Sequence, residues 1–216
     1  MVSDLPEHNW LEVEPGEMAV LPTPVTTSTF FASTDDVALW DIGDGNDGLS
    51  GPTVTLADLD KAEQRLGFSL PRLLKDLYLL QNGGCVLQTV NAQLETGFLC
   101  IETTWQGHAA LVQPFGCNRL LHLDQLTPMT DWEDHIPQTM GADRVLPFGH
   151  ANVISLAVWR NEHLFLDYQN GPVARVGLVE LAQCPDLTDP SWRDHAFWWA
   201  DFDSFFARLR RCTFVD

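Results

Sequence analysis

The chain contains seven histidines, and general acid–base catalysis and metal binding both favour this side chain. His122 and Asp124 alternate, so a strand would place both side chains on one face. His150 follows the run 146–149 in a loop, and the pair Asp194–His195 stands among tryptophans. A hydrolase built around these residues is one hypothesis. A surface pair better explains His122 and Asp124, a hydrogen-bonded turn residue better explains His150, and core packing better explains the surroundings of Asp194–His195. We therefore predict no catalytic residue.

Metal and cofactor sites have no sequence support either. The chain lacks the phosphate-binding loop G-x-x-x-x-G-K-[ST], H-E-x-x-H, G-x-S-x-G and a G-x-G-x-x-G after a strand. The run 41–49 resembles one calcium-binding nonapeptide, but such sites share ligands between stacked repeats and only one copy is present. The five cysteines are odd in number and contain no C-x-x-C pair, which predicts buried thiols in a reducing cytoplasm. We predict no metal and no cofactor.

Charge is the strongest compositional feature of the 216 residues: 30 acidic side chains oppose 12 basic ones, for a net charge of −18. Residues 1–60 contain twelve of the acids and no Lys or Arg, and so hold two-thirds of the net charge. A negative field of this size repels nucleic-acid phosphates and anionic lipid and attracts basic proteins. We predict a basic protein partner and no direct nucleic-acid binding, with solubility alone as the alternative explanation.

Two acidic segments are candidates for contact with such a partner. One lies within residues 1–50, and the other surrounds a tryptophan that follows Pro128. An aromatic ring among carboxylates suits an anchor for a basic partner, although a tryptophan half-buried under a loop has the same surroundings. The candidates are Asp35, Asp36, Asp41, Asp44 and Asp47 in the first segment, and Asp131, Trp132, Glu133 and Asp134 in the second.

The elements that would position these residues are clearest after residue 52. Thr55 and Asp58 form a capping-box pattern, and apolar residues then recur at helical spacing until Gly67. Leu70-Pro71 opens a second helix, which Asn82-Gly83-Gly84 ends. We predict that the two helices pack as a hairpin. The spacing of Phe202, Phe205, Phe206 and Leu209 predicts a closing helix with basic residues at its end.

Between the hairpin and the closing helix, apolar runs and period-two patterns predict about six strands. They cover 85–90, 98–102, 120–123, 154–159, 164–168 and 173–178, and short turns make the last three an antiparallel meander. In residues 1–50, islands at 18–21, 29–32 and 37–42 each have the composition of a single strand. We predict an acidic, Pro/Thr/Gly-rich extension over 1–50 and one α+β domain over 51–216. The composition predicts neither a secretory signal nor a membrane span.

The helix hairpin resembles the opening of the SUKH superfamily. Three features carry the resemblance: a Glu three residues before Leu-Gly, a Leu-Pro start to the second helix, and Asn-Gly-Gly after it (Glu63, Leu66, Gly67, Leu70, Pro71, Asn82, Gly83 and Gly84). Later, Leu146–Gly149, the strands at 154–159 and 164–168 and the run Trp199–Phe206 are similar to the family's second half. The resemblance covers about 55–211; His150–Val153 departs from the family's Gly- and Asp-rich turn, and residues 1–50 match nothing.

This resemblance implies an α+β binding domain that catalyses nothing. Bacterial members of the family are mostly immunity proteins of polymorphic toxin systems, which protect the producing cell by binding a cognate toxin domain, frequently a nuclease or deaminase. We therefore expect a cytoplasmic, SUKH-like toxin inhibitor that acts by protein–protein interaction. A regulatory scaffold or adaptor of the same fold, as in the fungal relatives, is the second hypothesis. The sequence predicts no oligomeric state and does not identify the toxin.

Overall fold

The computed structural model describes residues 18–31, 51–86, 88–89, 96–105, 108–115, 119–128, 152–159, 162–180 and 190–214. Its helices are α1 (Thr27–Phe30), α2 (Leu56–Leu66), α3 (Arg72–Leu80) and α4 (Phe202–Phe206), with 3-10 helices at Leu123–Gln125 and Pro190–His195. Its strands are β1 (Met18–Pro24), β2 (Gly84–Cys85), β3 (Gln88–Thr89), β4 (Thr96–Trp105), β5 (His108–Val112), β6 (Arg119–Leu120), β7 (Val153–Trp159), β8 (Glu162–Asp167), β9 (Arg175–Glu180), β10 (Phe197–Trp199) and β11 (Leu209–Phe214). This is the α+β class that the sequence predicted.

The predicted capping box starts α2. The Thr55 N–H donates to Asp58 Oδ2 over 3.0 Å, and the Asp58 N–H donates to Thr55 Oγ1 over 3.3 Å. These bonds satisfy amides that have no partner within the helix. Gly67 ends α2 in the left-handed region, with φ 78°, a conformation that glycine adopts at little cost. Local chemistry alone therefore fixes both ends of this helix.

Glu63 joins the two helices of the hairpin. Its Oε1 accepts from the Leu70 N–H over 2.7 Å and from Lys75 Nζ over 3.0 Å. The inward side chains of both helices, including Leu59, Leu74 and Leu77, belong to one hydrophobic core. The Glu in the family-like motif thus has a structural role: it holds the chain between α2 and α3 in place.

Within the described ranges the strands form three sheets. The largest has the order β1-β11-β4-β3, with β5 also paired to β4; the second has the order β10-β9-β8-β7; the third is the pair β2-β6. All recorded strand pairings are antiparallel. The predicted meander of the last three strands is confirmed as β7-β8-β9. The sequence missed β5, β10 and β11.

The predicted closing helix is too long. Helix α4 ends at Phe206, and Leu209 begins β11, in which Arg211 pairs with Leu99 of β4. Helical periodicity identified Phe202, Phe205 and Phe206 correctly, since all three are buried on the core side of α4. From Leu209 onward, the chain pairs with β1 on one side and with β4 on the other, and this pairing requires an extended backbone in place of a helix.

Part of the acidic N-terminal segment belongs to the same sheet as β11. The island at 18–21 is a strand, as predicted, and β1 pairs Met18 with Phe214. The island at 29–32 was predicted as a strand, but Thr27–Phe30 is a helix, capped at Thr26. Phe30 is fully buried there and lies 5.5 Å from the Phe115 ring, because its helix packs into the hydrophobic core. The division of the chain at residue 50 stays a prediction.

Two long-range links hold β11 in place. Cys212 forms a disulfide with Cys100 of β4, so the prediction that all the cysteines are thiols is wrong for this pair; Cys85 is a free, buried thiol. The side chains of Cys100 and Cys212 approach each other because neighbouring antiparallel strands carry them. The guanidinium of Arg211, buried to 5% exposure, donates to four main-chain carbonyls, those of Thr29, Phe30, Val86 and Gly97.

Candidate functional site

The nine predicted partner contacts (Asp35, Asp36, Asp41, Asp44, Asp47, Asp131, Trp132, Glu133 and Asp134) lie outside the described residues, as does His150. The described part contains twelve acidic and ten basic side chains, against 30 and 12 in the whole chain. Most of the net negative charge therefore lies outside the described residues, and the role of these nine candidates stays a prediction.

The predicted alignment of His122 and Asp124 on one strand face is wrong. Strand β6 ends at Leu120, and the chain turns into the 3-10 helix Leu123–Gln125 with His122 as its N-cap. The imidazole Nε2 of His122 lies 3.2 Å from an Arg119 guanidinium nitrogen, and the carboxylate of Asp124 is exposed on the 3-10 helix. Because of this turn, the His122 side chain lies beside the Arg119 cation, whereas the Asp124 side chain faces solvent.

The aromatic residues around Asp194–His195 do not share one pocket. Trp198 and Trp199 alternate on β10, so their rings lie on opposite faces of the sheet. Trp199 packs in the core, 5.1 Å from the Phe205 ring, whereas Trp198 lies 3.9 Å below the guanidinium carbon of Arg175. Asp194 is exposed at the end of the 3-10 helix. Core packing and a cation–π contact account for these two tryptophans.

A charged group occupies the face of the second sheet opposite the main core. Asp167 Oδ2 lies 3.7 Å from a guanidinium nitrogen of both Arg175 and Arg193, and its Oδ1 accepts from the Gln169 N–H over 2.9 Å. The Asp167 side chain is 1% exposed. Because burial removes the hydration of a carboxylate, two guanidinium groups and a main-chain amide compensate for it here. The cluster connects β8, β9 and the 3-10 helix Pro190–His195.

His163 of β8 is also buried, at 1% exposure, and burial lowers its pKa to about 4. An unfolded histidine titrates near 6.5, so the stability that neutral His163 contributes is present above pH 6.5 and is lost as the pH falls toward 4. We expect the wild type to lose about 3 kcal/mol more stability between pH 7 and pH 4 than a His163→Leu variant.

Urea denaturation at a series of pH values measures this difference. Asp58 and Asp201 have pKa values lowered by hydrogen bonds within their helix caps, so their stabilisation is lost mainly below about pH 4, and equally in both proteins. Parallel pH profiles for the wild type and His163→Leu would show that His163 does not contribute the acid sensitivity.

A pocket of about 380 Å³ lies beside α2, between residues 52–54 and the 3-10 helix Leu123–Gln125. We call it the α2 pocket; its lining is Pro52, Thr53, Val54, Asp58, Lys61, Ala62, Arg65, Asn82, Leu123 and Asp124. Buried apolar side chains of Val54, Ala62 and Leu123 form its floor. Its size falls within the range of ligand and anchor sites in proteins. The lining comes from four separate parts of the chain.

Hydrogen bonds fix the walls of the α2 pocket. Asn82, which follows α3, accepts through Oδ1 from the Leu123 N–H over 2.8 Å, and its main-chain oxygen accepts from the Gly51 N–H over 2.9 Å. Arg65 donates from its two terminal nitrogens to the carbonyls of Leu126 and Leu123, over 2.6 and 3.0 Å. The Asn of the family-like Asn-Gly-Gly motif thus links three segments, which predicts a rigid pocket.

Backbone crowding explains the glycine that follows Asn82. Gly83 has a φ of 64°, and a Cβ atom there would lie 2.6 Å from the Leu121 carbonyl oxygen and 2.8 Å from that of Leu120. Only glycine combines this conformation with such a close approach. The hydroxyl of Tyr78 donates to the Leu121 carbonyl over 2.9 Å and so holds the same stretch in place. Burial raises the pKa of this hydroxyl far above its ordinary value, so the group remains a donor. The main chain at Gly83 therefore packs directly against the main chain of residues 120–121.

Neither a metal-binding cluster nor a membrane-spanning helix is found in the described ranges. No group of three or more His, Cys, Asp or Glu side chains in them is arranged to hold a metal ion. None of the helices in these ranges combines the length and the hydropathy that crossing a bilayer requires.

Comparison with known proteins and protein families identifies a family match. No curated protein and no solved structure matched the chain. The model of the SMI1 / KNR4 family (SUKH-1) matches residues 53–208, which is most of the chain and includes the helix hairpin, the meander and α4. The predicted superfamily is confirmed, and the chain belongs to the SMI1 / KNR4 family (SUKH-1).

Proposed function

We propose that this chain is an immunity protein of a bacterial polymorphic toxin system, which neutralises a cognate toxin domain in the cytoplasm by tight one-to-one binding. The observation that carries the proposal is the family match over residues 53–208, because this family includes toxin immunity proteins. The chain itself catalyses no reaction in this proposal. Inhibition follows from occupying the toxin's surface.

The charge distribution supports a basic toxin as the partner. Nucleases carry cationic clefts that bind phosphates, and a protein with a net charge of −18 can occupy such a cleft in place of the substrate. Residues 1–60 contain twelve acidic side chains and no basic ones, so the negative charge is concentrated in this segment. Carboxylates at the rim of such an interface mainly accelerate association, whereas buried ones mainly slow dissociation.

Co-expression tests the proposal. The toxin encoded beside this gene is produced in a sensitive bacterial host with and without the full chain. We expect growth only when the chain is present, and a stoichiometric complex on size-exclusion chromatography. Equal killing in both cultures would overturn the proposal and favour the adaptor function.

A pair of charge variants tests the acidic candidates. We expect Asn at Asp35, Asp36, Asp41, Asp44 and Asp47 to slow association with the toxin by about tenfold at low salt, because long-range attraction increases encounter rates. A control variant neutralises five exposed acids of the described part, Asp60, Asp76, Glu102, Asp194 and Asp203. Equal association rates for the two variants would mean that net charge, and not the extension, attracts the toxin.

A further inference from the structure

Strand β11 belongs to a part of the fold that lies outside the family-matched range. Residues 18–31 and 209–214 stand on either side of the matched residues 53–208, and these two parts are joined to each other. Among the described strands β1 pairs with β11 alone, and Arg211 of β11 donates to two carbonyls of α1. We call β1, α1 and β11 together the flanking unit.

The flanking unit meets the family-matched domain along β4. Four residues of β11 pair with four of β4, and the Cys100–Cys212 disulfide crosses the same boundary. Cys212 lies opposite Phe98, two residues before Cys100 on β4, so the bond runs diagonally and fixes the register of the two strands. The disulfide is therefore a covalent link at the boundary between the unit and the domain.

Burial decides between the roles that this disulfide can have. Both cysteines are fully buried. Disulfides of cytoplasmic proteins are usually transient, and they serve either catalysis or redox sensing. A catalytic disulfide presents an accessible sulfur to an attacking thiolate, and a fully buried pair within a sheet does not. In the cytoplasm, redox sensing is the role that remains for this bond.

The two redox states require different packing at the boundary. Bonded sulfurs lie about 2.0 Å apart, whereas non-bonded heavy atoms in contact lie about 3.5–4.0 Å apart. After reduction the two sulfurs must separate within a close-packed interior that has little free volume. Since β11 carries one of these sulfurs together with Arg211 and the pairing to β1, a displacement of β11 reaches the whole flanking unit.

We propose that the Cys100–Cys212 disulfide is a redox-sensitive link that controls opening of the flanking unit. In the oxidised chain the bond holds β11 on β4. In the reduced chain β11, β1 and α1 open together from the domain much more often. The inference rests on the proposed function for the cytoplasmic location of the chain and is independent of the toxin.

The reductant in this proposal is a dithiol. One of its thiolates bonds to a sulfur of the disulfide while the Sγ–Sγ bond breaks, and the other sulfur of the chain leaves as a thiolate that takes up a proton. The second thiol of the dithiol then closes an internal disulfide and releases the remaining sulfur of the chain as a thiol. Two electrons pass from the dithiol to the chain. The reverse exchange with the oxidised dithiol restores the bond.

Hydrogen–deuterium exchange of the full chain tests the proposal. Oxidised protein and protein reduced with a phosphine are compared over the first minutes, when amides exchange through local opening. We expect reduction to accelerate exchange at least about tenfold in 18–31 and 209–214, and less than about twofold in α2 and the β7-β8-β9 meander. Equal acceleration in all of these segments would make the bond a general stabiliser and would overturn the proposal. Unchanged exchange in the flanking unit would overturn it as well.

Two cysteine variants accompany this comparison. Cys85→Ala is the control, because Cys85 is a buried free thiol, and it should keep the whole response to the phosphine. Cys212→Ser should exchange fast in the flanking unit without the phosphine and should not respond to it. Slow exchange in Cys212→Ser, or a lost response in Cys85→Ala, would contradict the assigned role. The wild-type comparison is sufficient if a variant does not fold.

Alkylation of thiols in the producing cell tests whether the bond responds to the cytoplasm. Cells are lysed in acid and labelled with a maleimide that shifts electrophoretic mobility, before and after exposure to the thiol oxidant diamide. We expect the Cys100–Cys212 pair to be reduced in untreated cells and oxidised after diamide. A pair already oxidised in untreated cells would be a permanent structural bond, and a pair that stays reduced after diamide would not be a sensor. Either result overturns the proposal.

These outcomes are distinct from those of the co-expression experiment. Failure of the wild type to protect the host would overturn the proposed function, whatever the exchange and alkylation results are. Protection by a chain whose flanking unit exchanges equally in both redox states would leave the immunity function intact and overturn the redox-sensitive link.

Discussion

Replacing Arg211 with methionine is expected to lower the free energy of unfolding by about 3–5 kcal/mol, because the change leaves several buried carbonyls without a donor. The Arg211 guanidinium donates over 2.7 Å to Val86, 2.6 Å to Thr29 and 3.0 Å to Phe30. These carbonyls belong to α1 and to the segment after β2. One side chain of β11 thus joins parts of the chain that are distant in sequence.

Urea denaturation of the full chain measures the effect, with Arg208→Met as the control. Arg208 is exposed after α4, so its replacement should change stability by less than about 0.5 kcal/mol. Arg211→Lys keeps the charge but cannot reach several carbonyls at once, so an intermediate loss is expected. This variant also gives a measurement if Arg211→Met does not fold. Equal stability of Arg211→Lys and Arg208→Met would contradict the assigned role.

Reducing the Cys100–Cys212 disulfide is expected to cost about 4 kcal/mol and to lower the Tm by about 10 °C. The two cysteines are 112 residues apart, so the bond restricts a long loop in the unfolded chain. Its cleavage therefore increases the entropy of the unfolded state. Thermal unfolding with and without a phosphine reductant measures the loss.

The double variant Cys100→Ala, Cys212→Ala is the matched control for the reductant. Its Tm should lie near that of the reduced wild type and should not respond to the phosphine. A wild type with the same Tm before and after reduction would contradict the stabilising role. Since both side chains are fully buried, we also expect reduction to require local unfolding and to be slow under native conditions.

The elements that the sequence predicted best are those whose ends are fixed by nearby residues. Thr55, Asp58 and Gly67 determine the bounds of α2 through contacts within a few residues. The meander β7-β8-β9 was predictable because short turns connect strands of clear apolar character. In contrast, the residues of β11 continue a helical apolar spacing, and only β1 and β4 make them a strand. Sequence patterns do not contain that distant information.

The site was less predictable than the fold for the same reason. The lining of the α2 pocket comes from residues 52–54, from α2, from Asn82 and from the 3-10 helix at Leu123. The family-like motif singled out Asn82, but nothing in the sequence relates it to Leu123, 41 positions away. The sequence pattern placed Asp124 on the same strand face as His122. That prediction required a strand, but the chain turns there into a 3-10 helix.

The central position of β11 also affects synthesis of the protein. Strands β1 and β4 flank β11 and are both made before it, so on the ribosome each has an edge without its neighbour until residues 209–214 have left the exit tunnel. Open edges of this kind recruit other strands and promote aggregation. The nascent chain can complete this sheet only after β11 has been made, and a ribosome that stalls between β4 and β11 would expose an aggregation-prone intermediate to chaperones and proteases.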